Sequence, residues 1–280
     1  MRAANTLKGR RRRLGSHAPV VVCVAGLFAA GCGGGGEVRT GDPEAHGTSV
    51  VRYEIDSRYA GRTLSQVGVT PPDSRRRPPL LVFLHGRGKG GAESNVNGAF
   101  LDALRALGPR APAVVFPDGG DHSYWHDRRG GAWGRYVVRE VIPQAVRRLR
   151  ADPRRVAIGG ISMGGFGAFD IALHSPSRFC AVGGHSPAIW ASAGETAPGA
   201  FDDAEDFARH DVIALARARR LRRPAWLDSG DEDPFAAASQ VLAQTLGVEK
   251  HTWAGGHEAD YWHAHYDEYL RFYARALERC

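Results

Sequence analysis

The chain has 280 residues, 43% hydrophobic and 24% charged, an ordinary globular composition and enough length for one large α/β domain. Its formal charge of +7 gives little support to a nucleic-acid surface: Arg2, Lys8 and Arg10 to Arg13 lie in residues 1–31, which hold no Asp or Glu, and the remainder carries about +1. The four cysteines, at 23, 32, 180 and 280, make no CxxC or Cys/His spacing of a structural metal site, and neither a metal nor a cofactor is expected.

Residues 1–31 read as an export signal. A basic segment ends at Arg13, and the apolar stretch from Pro19 to Ala30 is too short to span a membrane comfortably. It ends in Phe28-Ala29-Ala30-Gly31-Cys32, which resembles a bacterial lipoprotein signal with Cys32 as the lipidated first residue. Ala29 stands where that signal usually has leucine, and the arginine run faintly resembles a twin-arginine signal. Simple cleavage nearby, with Cys32 incidental, is the alternative. The expected location is the outer face of a bacterial membrane through a lipid anchor, or otherwise secreted or periplasmic. Residues 32–47, with Gly33 to Gly36, read as a flexible tether, and 48–280 as the folded domain.

Partial alternation predicts antiparallel edge strands at Val50–Ile55 and Leu64–Val69. Leu80–Leu84 is a continuous apolar run, the mark of a strand covered on both faces. A helix is expected at roughly 93–107, a strand at Ala113–Phe116, a loop over 121–134, and a helix of about 18 residues to Arg150. Arg155–Ile158 and Phe179–Val182 read as strands, and 189–212 as a segment able to cap the site. A strand at Pro224–Asp228, a helix near 235–246, a strand near 249–254 and a helix from about 260 complete the pattern. Alternating strands and helices imply a mostly parallel sheet with helices on both faces. Ligands on such sheets bind at the carboxyl ends of strands, where His85, Asp118, Ser162, His185, Asp231, Asp233 and His257 all fall.

Gly160-Ile161-Ser162-Met163-Gly164 lies between a strand and a helix and fits G-x-S-x-G, a serine on a strained turn above a helix N-terminus. A serine hydroxyl needs a base, and the base needs a group to orient it. Downstream, in the chain order of this turn type, come Gly230-Asp231-Glu232-Asp233 and then Gly255-Gly256-His257. Ser162 is the expected nucleophile and His257 the base. Asp233, three residues after Gly230 and before Pro234, is preferred as acid, with Asp231 the alternative. Oxyanion donors are expected from the backbone N–H groups of Met163 and of Arg87 or a neighbour. His85, Asp118, Trp125, His185 and Trp262 are candidates for substrate contact. Cys180 reads as a small buried hydrophobe, and a Cys180–Cys280 bridge is left open.

Leu84-His85-Gly86, Pro117 to Gly120, Tyr124-Trp125, Gly160 to Gly165, Asp228-Ser229-Gly230 with Asp233-Pro234-Phe235, and Gly255-Gly256-His257 with Tyr261-Trp262 together resemble one esterase branch of the α/β-hydrolase fold. That branch includes S-formylglutathione hydrolases (esterase D), enterochelin-esterase-like proteins and mycobacterial mycolyltransferases. The resemblance covers residues 48–279 and implies an α/β-hydrolase domain acting on carboxylic esters, of small molecules or of the cell envelope, through an acyl-serine. The Gly-rich Arg87–Gly91 segment departs from the esterase D form, which counts against a glutathione thioester. Two other functions share these residues: acyl transfer to envelope sugars or lipids, and non-catalytic binding on the same fold.

Overall fold

The computed structural model describes residues 47–72 and 77–280. The expected export signal, Cys32 and nearly all of the tether lie outside the described residues.

An eight-stranded sheet organises the domain, in the order β1-β2-β4-β3-β7-β8-β9-β10. These are β1 (Ser49–Ser57), β2 (Arg62–Thr70), β3 (Leu80–Leu84), β4 (Ala113–Pro117), β7 (Val156–Ile161), β8 (Ala181–His185), β9 (Ala225–Gly230) and β10 (Lys250–Trp253). From β4 to β10 every neighbouring pair is parallel, whereas β2 runs antiparallel to both β1 and β4. All five residues of β3 are buried, and alternate ones feed opposite faces: Leu80, Val82 and Leu84 join one core, Leu81 and Phe83 the other. A strand sandwiched in this way gains burial from every side chain, which explains its unbroken apolar sequence.

One face is covered by α1 (Gly98–Ala106) and α8 (Ala259–Glu278), whose Tyr266, Tyr269, Leu270, Tyr273, Ala274 and Leu277 form the inward stripe. The other carries α2 (Trp133–Tyr136), α3 (Ile142–Arg148), α4 (Met163–His174), α6 (Val212–Ala218) and α7 (Ala236–Leu246). α5 (Ala204–His210) lies between β8 and α6. This layered sheet, with its antiparallel edge, is the α/β-hydrolase arrangement.

Several boundaries differ from the sequence pattern for local reasons. α1 begins at Gly98 because Asn97 caps it, its side chain accepting the Phe100 N–H. The helix expected up to Arg150 is broken by a π turn at Val137–Val141, next to Pro143, which has no N–H to continue the α ladder. The 121–134 loop contains a small hairpin, β5 (Asp127–Arg128) with β6 (Gly131–Ala132). Cys180 and Cys280 are disulfide-bonded, tying the end of the chain to the start of β8 across 100 residues.

Candidate active site

The turn from β7 into α4 sets Ser162 apart from the regular chain. Its φ of 55° and ψ of −116° lie where side chains rarely go, a conformation that costs about 1–3 kcal/mol. The surroundings impose it. Ser162 N–H donates to the His185 carbonyl at 3.0 Å, and the Ser162 carbonyl accepts from Phe166 and Ala188, both at 3.0 Å. The turn also needs bare backbone on either side: a Cβ on Gly160 would stand 2.5 Å from the Leu84 carbonyl oxygen, and one on Gly164 only 2.1 Å from it.

Two loops at the same edge of the sheet bring partners to that serine. His257 Nε2 lies 2.8 Å from Ser162 Oγ, and His257 Nδ1 lies 3.0 Å from Asp233 Oδ2. Asp233 sits in the turn between β9 and α7, its side chain fully enclosed. Burial raises its pKa, but hydrogen bonds from the His257 ring and the Phe235 N–H outweigh that and hold the carboxyl below the usual carboxylate range. It is therefore an anion at neutral pH, and a carboxylate at Nδ1 keeps the ring's Nε2 lone pair turned to the serine. Asp231 is exposed and points elsewhere, its Oδ1 accepting the Gly255 N–H at 3.0 Å. It braces the loop that carries His257 and does not touch the ring.

Met163 is the first residue of α4, so its N–H has no helical partner. The loop after β3 approaches from the other side: a Cβ on Gly86 would come within 3.5 Å of Ser162 Cβ. His85 shapes this loop from beneath. Its Nδ1–H donates to the Gly86 carbonyl at 2.7 Å, while Nε2 accepts the Gly119 N–H at 2.9 Å. With the Gly86 carbonyl turned inward to His85, the following Arg87 N–H is left without a backbone partner among the described residues.

A pocket of about 570 Å³ opens over Ser162 and His257. Tyr124, Phe235, Trp262 and Tyr266 give it aromatic walls, and Phe235 and Trp262 meet the His257 ring edge-on at 5.0 and 5.2 Å. Among the described residues no carboxylate lines it, and Arg87 is its one permanently charged side chain.

Residues 62–273 match the Esterase family, described as "Putative esterase". The chain belongs to this family. Esterase Rv1288 of Mycobacterium tuberculosis is 28% identical over 85% of this chain, a match spanning 65% of that protein's own length. Among solved structures, a ferulic acid esterase superposes with a TM-score of 0.70 at 22% identity, covering 82% of this chain and 98% of that one. An S-formylglutathione hydrolase from Agrobacterium tumefaciens follows at 0.68 and 20%, covering 83% and 97%, and MPT51 (FbpC1) of Mycobacterium tuberculosis at 0.59 and 16%, covering 82% and 98%. These likenesses establish the α/β-hydrolase fold.

Within this esterase-family domain, Trp262 lies on the pocket wall, but four other candidates for substrate contact do not. Trp125 is fully buried, its Nε1–H donated to the His85 carbonyl at 3.1 Å. Its neighbour Tyr124 lines the pocket instead; both residues have positive φ, 49° and 59°, and the turn they form decides which ring goes in and which comes out. His185 is fully buried too, its Nδ1 2.8 Å from Asp228 Oδ2 and its Nε2 2.9 Å from the Tyr273 hydroxyl. Asp228 also accepts from Trp226, Tyr261 and Tyr269, so His185 belongs to an interior polar network. His85 acts on loop shape from a buried position. Asp118 turns its own loop, accepting the Gly120 N–H at 2.8 Å, and does not line the pocket. Sequence reasoning missed Tyr124, Phe235, His263 and Tyr266 as wall residues. Aromatic density just after strand ends was the available signal, but it does not say which rings face inward.

Proposed function

We propose that this protein is a serine esterase, hydrolysing carboxylic esters with Ser162 as nucleophile, His257 as base and Asp233 as the supporting acid. The observation that carries the reading is the unbroken hydrogen-bonded line from Ser162 Oγ through the His257 ring to Asp233, with the serine in a strained, clamped turn beneath a pocket. Its chemistry follows from those atoms. His257 Nε2 takes the hydroxyl proton as Oγ attacks the ester carbonyl, and Asp233 supports the positive ring. The tetrahedral oxyanion is held by the Met163 and Arg87 N–H groups. Collapse expels the alcohol, which takes the proton from Nε2 and leaves Ser162 acylated. Water then attacks the acyl-serine with His257 again as base, releasing the acid and restoring the hydroxyl. Aromatic walls and a lone guanidinium suit an ester with an apolar or aromatic group.

Ser162→Ala tests this. The folded variant should lose p-nitrophenyl ester hydrolysis by a factor on the order of 10³ or more, together with fluorophosphonate labelling. Hydrolysis at the wild-type rate in a variant with an unchanged circular dichroism spectrum would overturn it.

We further propose that the protein is exported and held at the outer face of a membrane by lipid on Cys32. Support comes from the basic-then-apolar leader ending in small residues before that cysteine. Palmitate labelling should vanish in Cys32→Ser, and a mature N-terminus downstream of Cys32 contradicts the proposal.

A further inference from the structure

The helix that begins beside Ser162 carries a second polar cluster towards its other end. Asp170 and His174 are four residues apart on α4 and so share one face. His210, the last residue of α5, comes across from the segment between β8 and β9 to meet them. One ligand atom from each of the three lies within 4.8 Å of the others. Asp170 Oδ1 is 2.8 Å from His210 Nδ1 and 3.3 Å from His174 Nδ1. Edges of about 2.8–3.4 Å are what metal–ligand bonds of about 2.0–2.1 Å produce in octahedral or tetrahedral shells. Without an ion, His174 Nδ1 also meets the Asp170 carbonyl oxygen at 2.9 Å, a bond it must give up to ligate through that atom.

Hydrogen bonding within the cluster leaves a positive charge to be supplied. His210 faces an oxygen acceptor at each ring nitrogen: the Asp170 carboxylate at Nδ1, and the Asp127 carbonyl at Nε2, 3.1 Å away. A neutral imidazole has one N–H. With that proton on Nε2 and donated to the carbonyl, the Nδ1 lone pair points at a buried carboxylate, and either a proton or a metal ion must sit there. An N–H held by a backbone carbonyl is also the outer bond that orients a metal-ligating histidine.

A cavity of about 190 Å³, lined by none of the active-site pocket residues, opens beside the three and has room for water to complete a coordination shell. Asp127, Arg135 and Arg139 are its other charged lining residues. Arg135 is paired with Asp127, Nε to Oδ2 at 2.6 Å. Arg139 opposes a cation, so attraction by charge alone does not make this a site; the two imidazoles do. Two nitrogens and one carboxylate suit Zn²⁺ and similar transition ions, whereas Ca²⁺ and Mg²⁺ prefer all-oxygen shells.

We propose that Asp170, His174 and His210 form a Zn²⁺-class metal site that clips α5 to the helix of the nucleophile. The segment it fastens also supplies Ala188 and Ala197 to the wall of the active-site pocket, so the ion braces that wall and takes no part in the chemistry.

The full chain, stripped by a chelator, is titrated with Zn²⁺ by calorimetry and melted with and without the ion. The wild type should show a saturable site, and Zn²⁺ at about 100 times its Kd should raise Tm by about 5–10 °C. His174 is exposed and tolerates replacement: His174→Ala should lose that binding event and that shift while its ester hydrolysis in chelator matches the wild type. His174→Gln serves if the alanine variant does not fold. Absence of saturable binding in the wild type, binding and shift of wild-type size in the His174 variant, or an equal shift with Ca²⁺ each overturns the proposal.

Discussion

Asp233 and Asp231 stand two residues apart in one turn, and replacing each by asparagine gives sharply different expectations. Asp233 meets His257 Nδ1 through Oδ2 at 3.0 Å, while its Oδ1 accepts the Phe235 N–H at 2.7 Å. An asparagine there keeps its carbonyl on Phe235 and turns its NH₂ towards the ring. Nδ1 must then accept, which moves the ring proton to Nε2, and Nε2 can no longer take the proton of Ser162. Turnover should fall by up to about 10⁴, or about 5 kcal/mol of transition-state stabilisation. Asp231 accepts the Gly255 N–H from an exposed position, and an asparagine carbonyl can do the same. Replacing a charge-assisted bond by a neutral one there costs about 0.5–1 kcal/mol, a factor of about 2–5. The assay is kcat on p-nitrophenyl acetate at saturation for both variants, with folding checked by circular dichroism. Near-normal turnover in Asp233→Asn, or a greater loss in Asp231→Asn, refutes the tautomer argument.

The Cys180–Cys280 bridge closes a loop of 100 residues, so Cys280→Ser should lower unfolding stability by about 2–5 kcal/mol, read from the urea midpoint; an unchanged midpoint in the oxidised protein contradicts this. Asp152, Asp202 and Asp233 all have pKa values lowered from the ordinary 3.8: burial raises each, but hydrogen bonds from nearby N–H, arginine and histidine groups outweigh it. A depressed carboxyl contributes stability in full above its unfolded pKa and loses it as pH falls through the folded value. Tm should therefore drop as pH falls below about 3.8, and Asp202→Asn should flatten part of that limb; a Tm constant well below that pH counts against it.

Much of the fold is written in short-range pattern. Leu80–Leu84 and Val156–Ile161 are apolar at every position because both faces of the sheet are covered, and the α8 stripe recurs at helical spacing because one side of it is buried. The G-x-S-x-G turn is equally local, since its glycines answer to backbone contacts within the strand–turn–helix unit and with the adjacent strand. The direction of a side chain beyond a strand end is not local. Tyr124 and Trp125 carry the same aromatic signal, yet one lines the pocket and the other supports His85. His185 follows the pattern of a site residue, but its register beside Asp228 puts the ring in the interior. The choice between Asp231 and Asp233 rests on how the turn after β9 meets the loop after β10. The pairing of Cys180 with Cys280, and the meeting of Asp170 with His210 across 40 residues, likewise needed the packed domain. Sequence periodicity determines which residues are buried in an element. Which groups then meet depends on turn dihedrals and on partners that only tertiary packing brings within hydrogen-bonding range.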